Sequence, residues 1–298
     1  MGADKLPLVQ VLVVNWNGLQ DLRTCLPSLV KTGYRNLRLM VLDNGSTDGS
    51  PEWVRKAFPE VGLQEFGRNI GFTGANNAGM RLAVETGADY AILLNNDTRV
   101  EPDWVNALVE VAERDSSVAL CQARQRTWDG QHDIEFVFIP GWAEAQTELR
   151  PPNSSRSAGP SPFASGCAML VRCSALQRIG LFDERYFIYA EDVDLSLRAW
   201  IAGYRVMDVP AAVVYHHWSG SVPTNRRIFL GYRNQLTTLL KLYETRTLRA
   251  FRDAIRKRWF LTRNRTAQRA TLAALAMLPG TLARRARIQR TRQCADAE

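Results

Sequence analysis

Residues 88–100, ADYAILLNNDTRV, decide the fold of this chain. The apolar run at residues 90–94 stops at two amides and a carboxylate, Asn95, Asn96 and Asp97. A short apolar run of this kind is typical of a strand that is buried on both faces. Asn and Asp can simply begin a turn by hydrogen-bonding the local backbone. They also favour a ligand site, because ligands of open α/β sheets bind beyond the carboxyl ends of the strands.

Two earlier stretches show the same pattern of an apolar run that ends at Asn or Asp. Residues 9–14, VQVLVV, lead into Asn15, and residues 37–42, LRLMVL, lead into Asp43. Helical patterns separate the runs, which predicts βαβ units in an α/β fold. We expect a Rossmann-like, mostly parallel central sheet flanked by helices, with Asp43 and Asp97 over one crevice. No GxGxxG follows the first strand, which excludes an ordinary dinucleotide site.

A glycine-rich stretch at residues 67–79, GRNIGFTGANNAG, precedes a predicted helix. It combines Arg68 with Asn69, Gly71 and Asn76. Glycines allow close backbone approach, and a helix N-terminus attracts phosphate. Because the stretch matches no Walker pattern, a capped glycine turn without a ligand stays open.

Three carboxylates, Glu191, Asp192 and Asp194, stand at the start of a helix predicted over residues 192–202. The helix dipole alone favours acids in the first turn. However, the preceding residues are aromatic and apolar, and a carboxylate beside them would have the raised pKa that suits a general base. Two of the three histidines follow at His216 and His217, where a metal-ligand role and a structural role both remain open.

Together these stretches resemble the family 2 glycosyltransferases, which have the GT-A fold. The resemblance covers roughly residues 9–221, and within the family the chain looks most like bacterial rhamnosyltransferases of lipid-linked polysaccharide assembly. The matching pieces are, in order, VLVVNWNG, LDNGSTDGS, GRNIGFTGANNAG, ADYAILLNNDTRVEPDW, ASGCAMLVRCSALQRIGLFDERYFIYAEDVDLSLRAWIAGYRV and VVYHHWSGS.

The resemblance implies a role for each matching residue. Asp192 would be the catalytic base within the family's ED pair, beside Glu191. Asp97 would end the DXD motif and bind a divalent metal, Mg²⁺ or Mn²⁺, with His216 as an additional ligand. The implied nucleotide-sugar-binding residues are Asn15, Asn17, Asp43, Ser46, Arg68, Asn69, Gly71, Asn76, Asn95 and Asn96.

The motif departs from the family pattern at Asn95, which replaces the first Asp of DXD. Hard cations prefer anionic oxygen, so the loss of one carboxylate should weaken metal binding. The Asn side chain nevertheless keeps a carbonyl oxygen that can coordinate a cation.

The resemblance therefore implies an inverting transfer of a sugar from a nucleotide-diphosphate donor to a hydroxyl of a lipid-linked or polysaccharide acceptor of the cell envelope. Our first choice of donor is dTDP-L-rhamnose. UDP-galactose, UDP-galactofuranose and UDP-GlcNAc are alternatives. A nucleotidyltransferase is a weaker one, since it would favour a glycine- and lysine-rich loop where this chain has NWNG.

Charge divides the chain into an acidic body and a basic end. Residues 222–298 hold 18 of the 38 lysines and arginines but four of the 30 acids. We predict a catalytic domain over residues 1–221 and a basic helical extension over residues 222–298. An apolar stripe in the extension consists of Leu248, Phe251, Ile255 and Trp259. The extension would bind an anionic membrane through residues 246–292, its apolar stripe would pack on the catalytic domain, or both would hold. Nucleic acid is not an expected partner.

The remaining features favour an enzyme that works in the cytoplasm on the inner face of the plasma membrane. The first ten residues lack an apolar signal region, and no run reaches the ~18 apolar residues of a membrane span. The five cysteines are odd in number and lack CxxC spacing, which fits a reducing compartment. Residues 127–163 are expected to be an irregular loop or lid, and acceptor recognition is expected there and in the basic extension.

Overall fold

The computed structural model describes residues 6–153, 155–218 and 223–296. Within these ranges one sheet of eleven strands has the main order β3-β2-β1-β4-β10-β6-β11-β5. The strands are β1 (Val9–Asn15), β2 (Leu37–Asp43), β3 (Gly62–Glu65), β4 (Tyr90–Asn95), β5 (Thr98–Val100), β6 (Val118–Thr127), β7 (Asp133–Ile139), β8 (Glu144–Arg150), β9 (Gly159–Pro160), β10 (Ala168–Arg172) and β11 (Arg205–His216).

Helices cover both faces of the sheet and continue beyond it. The described ranges contain α1 (Leu19–Leu29), α2 (Ser50–Ala57), α3 (Gly71–Glu85), α4 (Trp104–Arg114), α5 (Leu176–Ile179), α6 (Glu191–Ile201), α7 (Thr224–Leu242), α8 (Thr245–Ala250), α9 (Arg252–Ile255), α10 (Arg265–Ala276) and α11 (Leu278–Arg290). A π-helical turn, Arg256–Phe260, follows α9.

Alternation along β1 builds a core on each face of the sheet. Val11 and Val13 join the cluster under α1 and α4, whereas Leu12 joins the cluster under α3 and α6. Successive side chains of a strand point to opposite faces, so a strand covered on both sides must be apolar throughout. This explains why the sequence shows a continuous apolar run there.

The sheet is parallel on one side and mixed on the other. Strands β3, β2, β1 and β4 run parallel, which places Asn15 opposite Asp43 and Val14 opposite Asn95. The expectation of a mostly parallel sheet holds for these strands but not for the whole sheet, because β10 runs antiparallel to both β4 and β6. The chain leaves β6 at the carboxyl edge, turns back there and enters β10 from the same edge, which reverses the strand direction.

The prediction of an irregular loop over residues 127–163 is wrong for residues 133–139 and 144–150. Strands β7 and β8 form an antiparallel hairpin that pairs Asp133 with Arg150 and Ile139 with Glu144. Aromatic and β-branched residues in β7 favour a strand, and the Pro140-Gly141 turn signal lies between the two strands.

The C-terminal helices pack on the rest of the protein. Trp259 is buried, its indole Nε1 donates to Tyr232 O at 2.9 Å, and Leu248 and Ile255 pack beside it. Most of the predicted apolar stripe therefore faces protein. The predicted domain boundary lies among residues 219–222, which are outside the described residues. Among the described residues no helix has the length and apolar character needed to cross a bilayer.

Candidate active site

An amide and carboxylate network joins the carboxyl ends of β1, β2 and β4. Buried Asn15 donates from Nδ2 to Asp43 Oδ2 at 3.2 Å and to Ser46 Oγ at 3.1 Å. Its Oδ1 accepts from Asn96 Nδ2 at 2.7 Å. The structure thus brings together three separate sequence motifs through one asparagine. Gly18 makes this possible, since a Cβ there would lie 2.0 Å from Asn96 Nδ2.

The Asp43 carboxylate shapes the loop that follows β2. Its Oδ1 accepts from the amides of Gly45 and Ser46 at 3.1 and 2.8 Å. Across the crevice Asn17, at φ 50°, accepts from Thr47 N at 2.7 Å. Two loops that the sequence predicts to bind the nucleotide are therefore fastened to each other.

The glycine-rich loop joins this network through Asn44, which the sequence analysis missed. Asn44 Oδ1 accepts from Ile70 N at 2.8 Å, and Nδ2 donates to Asn69 Oδ1 at 3.2 Å. Arg68 is exposed on the same loop. A Cβ at Gly45 would lie 2.6 Å from the Arg68 backbone, so the glycine permits the close approach. Asn44 stands next to Asp43 in the LDNGS motif, so this motif was the signal that could have identified it.

Asn76, another predicted donor-binding residue, lies on α3 and is as fully buried as Asn15. It is fully buried in α3, and its Nδ2 donates to Phe72 O one turn earlier at 3.0 Å. Its Oδ1 is buried and has no hydrogen-bond partner among the described residues.

Asp97 and His216 meet at the junction of β5 and β11. His216 pairs with Thr98 in the antiparallel ladder, and its Nε2 lies 3.2 Å from Asp97 Oδ1. Burial lowers the pKa of His216, but Cys167 and the Asp97 carboxylate outweigh that effect and raise the pKa above its ordinary value. A metal bound at this pair would have to displace the proton of the His216 imidazole, so metal binding is favoured at higher pH.

The two acids of the ED pair differ in environment. Glu191 is buried, and its Oε2 has no hydrogen-bond partner among the described residues. Burial and the neighbouring Asp192 charge raise the pKa of Glu191 well above its ordinary value. Asp192 is partly exposed and accepts from Gly166 N at 3.1 Å and Val193 N at 2.8 Å. Burial raises the pKa of Asp192 although these amides oppose the shift.

A two-residue bridge connects the ED pair with the end of β4. Gly166 N donates to Asp192 Oδ2, and Cys167 O, in the next residue, accepts from Asn95 N at 2.9 Å. The partly exposed carboxylate of Asp192 therefore lies near the carboxyl end of β4, which the Asp97 and His216 pair follows. The structure thus places both sets of predicted residues at the carboxyl end of β4.

Aromatic residues that the sequence analysis did not single out surround the histidines. Trp128 lies 5.2 Å from the His217 ring, and Trp218 stacks 6.0 Å from the His216 ring, centroid to centroid. Both tryptophans are exposed. The Arg99 guanidinium lies over the Trp128 ring. The HHW sequence was one available signal; residues 219–221 of that motif lie outside the described residues.

A separate cavity of about 600 Å³ lies at the amino ends of β1 and β2. Gln10, Arg38 and Met40 contribute to its lining, and none of the predicted site residues does. The chemistry-bearing side chains lie at the opposite, carboxyl edge of the sheet, so this cavity is not part of the candidate site.

Comparison with known proteins agrees with this geometry. Residues 10–180 match the model of the family described as glycosyl transferase family 2. An N-acetylglucosaminyl-diphospho-decaprenol L-rhamnosyltransferase of Mycobacterium tuberculosis is 33% identical over 240 residues, covering 72% of this chain and 76% of that protein. Rhamnosyltransferase WbbL of Escherichia coli is 30% identical over 141 residues, covering 43% of this chain and 52% of WbbL.

Solved structures show the same fold at low sequence identity. GalNAc-T7, solved with UDP, GalNAc and Mn²⁺, has a TM-score of 0.66 at 16% identity over 85% of this chain, which spans half of that protein. A mannosyltransferase of Pyrobaculum calidifontis, solved with GDP-Man and Mn²⁺, has a TM-score of 0.58 at 18% identity, covering 94% of this chain and 76% of that one. The resemblance that the motifs predicted is confirmed, and the chain belongs to glycosyltransferase family 2, with the GT-A fold.

Proposed function

We propose that this glycosyltransferase moves L-rhamnose from dTDP-L-rhamnose to a hydroxyl of N-acetylglucosamine carried on a polyprenyl diphosphate, with inversion at the anomeric carbon. The relative from Mycobacterium tuberculosis supports both the sugar and the acceptor. WbbL supports the sugar. The geometric support is the bridge at Gly166 and Cys167, which couples the base candidate Asp192 to the strand end before Asp97.

On the donor side, the fastened loops after β1, β2 and β3 would bind the nucleoside and the diphosphate. Asp43 and Asn15 are held rigidly by each other, so little conformational freedom remains to be lost when the donor binds. Exposed Arg68 would supply positive charge to the donor.

Asp97, which directly precedes β5, and His216, which ends β11, fit a divalent cation. Asp97 offers oxygen and His216 offers nitrogen, 3.2 Å apart, and Mn²⁺ accepts both ligand types. In the described part of the chain no three His, Cys, Asp or Glu side chains form a metal cluster. Oxygens of the donor diphosphate would complete such a site, as is usual for magnesium. When bound, the cation would neutralise the charge that the departing nucleoside diphosphate acquires.

Asp192 would take the proton from the acceptor hydroxyl. The hydroxyl oxygen then bonds to the anomeric carbon from the face opposite the donor diphosphate, and the carbon–oxygen bond to the diphosphate breaks with its electron pair. Burial moves the pKa of Asp192 closer to the working pH, which favours general-base catalysis. The partly exposed Asp192 suits this role better than buried Glu191.

Transfer to a purified acceptor tests the donor and the acceptor together. The full chain is incubated with a short-chain polyprenyl-diphospho-GlcNAc and one of dTDP-L-rhamnose, UDP-galactose, UDP-galactofuranose or UDP-GlcNAc, with Mn²⁺, Mg²⁺ or EDTA. With dTDP-L-rhamnose and metal, mass spectrometry should detect a product ~146 Da heavier than the acceptor, the mass of one rhamnosyl residue. Transfer from a UDP-sugar alone would replace the donor assignment, and no transfer from any donor would contradict the proposed reaction.

We also propose that the protein lies on the inner face of the plasma membrane through the outer surface of its C-terminal helices. Exposed apolar residues there, Leu261, Leu272 and Leu282, stand in a region rich in arginine. Apolar residues accompanied by basic charge favour an anionic lipid surface. These leucines differ from the predicted stripe, whose Trp259 is buried.

Substitution tests this better than truncation, because removing residues 246–298 would also remove Trp259 from the core. The variant with Leu261, Leu272 and Leu282 changed to Ser should float less with vesicles of anionic phosphatidylglycerol. The control is Val84→Ser, which changes an exposed apolar residue of α3. Equal flotation of both variants would reject this surface.

A further inference from the structure

The chain just before the ED pair has an unusual backbone. Three residues that are not glycine have positive φ there, Phe187 at 67°, Tyr189 at 75° and Ala190 at 63°. Such a backbone conformation is unfavourable for a residue with a side chain and persists only where surrounding contacts hold it. We refer to residues 186–190 as the strained turn. Its last residue, Ala190, precedes Glu191 and Asp192 at the start of α6.

Asn234 of α7 holds the strained turn by its main chain. The buried amide nitrogen Nδ2 lies 3.0 Å from Tyr186 O, 3.0 Å from Ile188 O and 2.8 Å from Tyr189 O. Its Oδ1 accepts from Arg233 Nε at 2.9 Å, which fixes the orientation of the amide. One side chain thus satisfies carbonyls on both sides of Phe187.

Arg233 supports the same segment from the same helix. Its Nη2 donates to Arg185 O at 2.8 Å and Tyr186 O at 2.9 Å. The Tyr186 hydroxyl in turn lies 2.8 Å from Thr238 Oγ1. Helix α7 therefore holds the strained turn by hydrogen bonds that involve the side chains of Arg233, Asn234 and Thr238.

The strained turn also contacts the glycine-rich stretch, residues 67–79, on its other side. Thr73 N donates to Phe187 O at 3.1 Å. A Cβ at Gly71 would lie 2.6 Å from the Phe187 ring, so a side chain there would displace the turn. The strained turn therefore lies between the glycine-rich stretch and the start of α6, which carries Asp192.

We propose that Asn234 is a positioning residue: it fixes the strained turn and, through it, the direction of the Asp192 carboxylate. The extension beyond residue 222 is then a working part of the catalytic site as well as a basic surface. The kinetic consequence rests on the proposed function, whereas the structural consequence does not. Misplacement of a reacting group by about 1 Å can cost on the order of 100-fold in rate.

The test compares two variants of α7. Asn234→Asp keeps the shape of the side chain but replaces the donating amide with a carboxylate that the three carbonyls repel. Thr237→Val is the matched control, because the buried Thr237 hydroxyl donates to Arg233 O, within its own helix. For each full-length variant we would measure kcat, the KM for donor, the pH–rate profile and amide hydrogen exchange of peptides covering residues 186–192.

Asn234→Asp should lower kcat by about 10- to 100-fold, leave the donor KM within about twofold, displace the acidic limb of the pH profile and speed exchange in the strained turn. Thr237→Val should match the wild type in each. Wild-type kcat and unchanged exchange in Asn234→Asp would overturn the proposal. A wild type that transfers no sugar, combined with faster exchange in Asn234→Asp, would contradict the proposed function but keep the positioning role. If Asn234→Asp does not fold, Asn234→Ala replaces it under the same criteria.

Discussion

Replacing Lys241 with Met should destabilise the protein by about 3 kcal/mol. The Lys241 side chain is 2% exposed, and its Nζ lies 2.6 Å from Asp194 Oδ1 and 3.0 Å from Asp183 Oδ2. Removing one partner of a buried ion pair costs about 3–5 kcal/mol, because a charge is left uncompensated. We expect the lower end, since Asp194 keeps Arg198 at 2.9 Å and Asp183 keeps Arg185 at 2.7 Å.

The assay is reversible or scan-rate-controlled thermal unfolding of the full chain. At about 2 °C per kcal/mol for a chain of this size, 3 kcal/mol corresponds to a fall in Tm of roughly 6 °C. Lys56→Met is the control, because Lys56 is exposed and its loss should change Tm by less than about 1 °C.

A Lys241→Met variant that melts with the Lys56→Met control would refute the reasoning. It would mean that the two carboxylates are adequately compensated by their arginines, or that α7 does not dock on α6 as the structure shows. High salt separates this buried contact from surface charge effects, because buried pairs are screened much less.

Two other substitutions have outcomes that the site geometry fixes. Glu191→Gln should raise the free energy of unfolding at pH 8, because glutamine removes a buried charge, and the gain should vanish below pH ~4.3, the ordinary pKa of a glutamate carboxyl. The sign follows because a folded-state pKa above the unfolded value destabilises the fold as pH rises; equal melting at both pH values would contradict it. His216→Ala should raise the Mn²⁺ concentration for half-maximal activity at least roughly tenfold, whereas His217→Ala, which retains its backbone bond to Asp97 O, should not; identical titrations would reject His216 as a ligand.

The sequence predicted the strand ends well because their signals are local. Apolar runs that stop at Asn15, Asp43 and Asn95 are visible without any tertiary information, and parallel pairing then forces them to one edge. Pro210 lies within β11, and the structure shows a register shift between Val209 and Val213 there. Proline has no amide hydrogen to donate to the ladder.

Features that depend on distant contacts were not predictable from local patterns. Asn76 belongs to the same glycine-rich stretch as Asn69, but its position on α3 buries it. The grip of Asn234 on the strained turn joins residues about 45 positions apart, and nothing in the surrounding helical pattern indicates it. The sequence shows the basic character of the extension. It does not show which of its apolar side chains face the protein and which face solvent.

The role of Asp192 is the claim on which the proposed reaction most depends, and the Asp192→Asn variant tests it most directly. Its dTDP affinity with Mn²⁺ and its transfer rate would be measured on one preparation. We predict wild-type affinity and a rate reduced at least ~100-fold, the lower range for a positioned base. A rate near that of the wild type, with affinity retained, would contradict the assignment of Asp192 as the base.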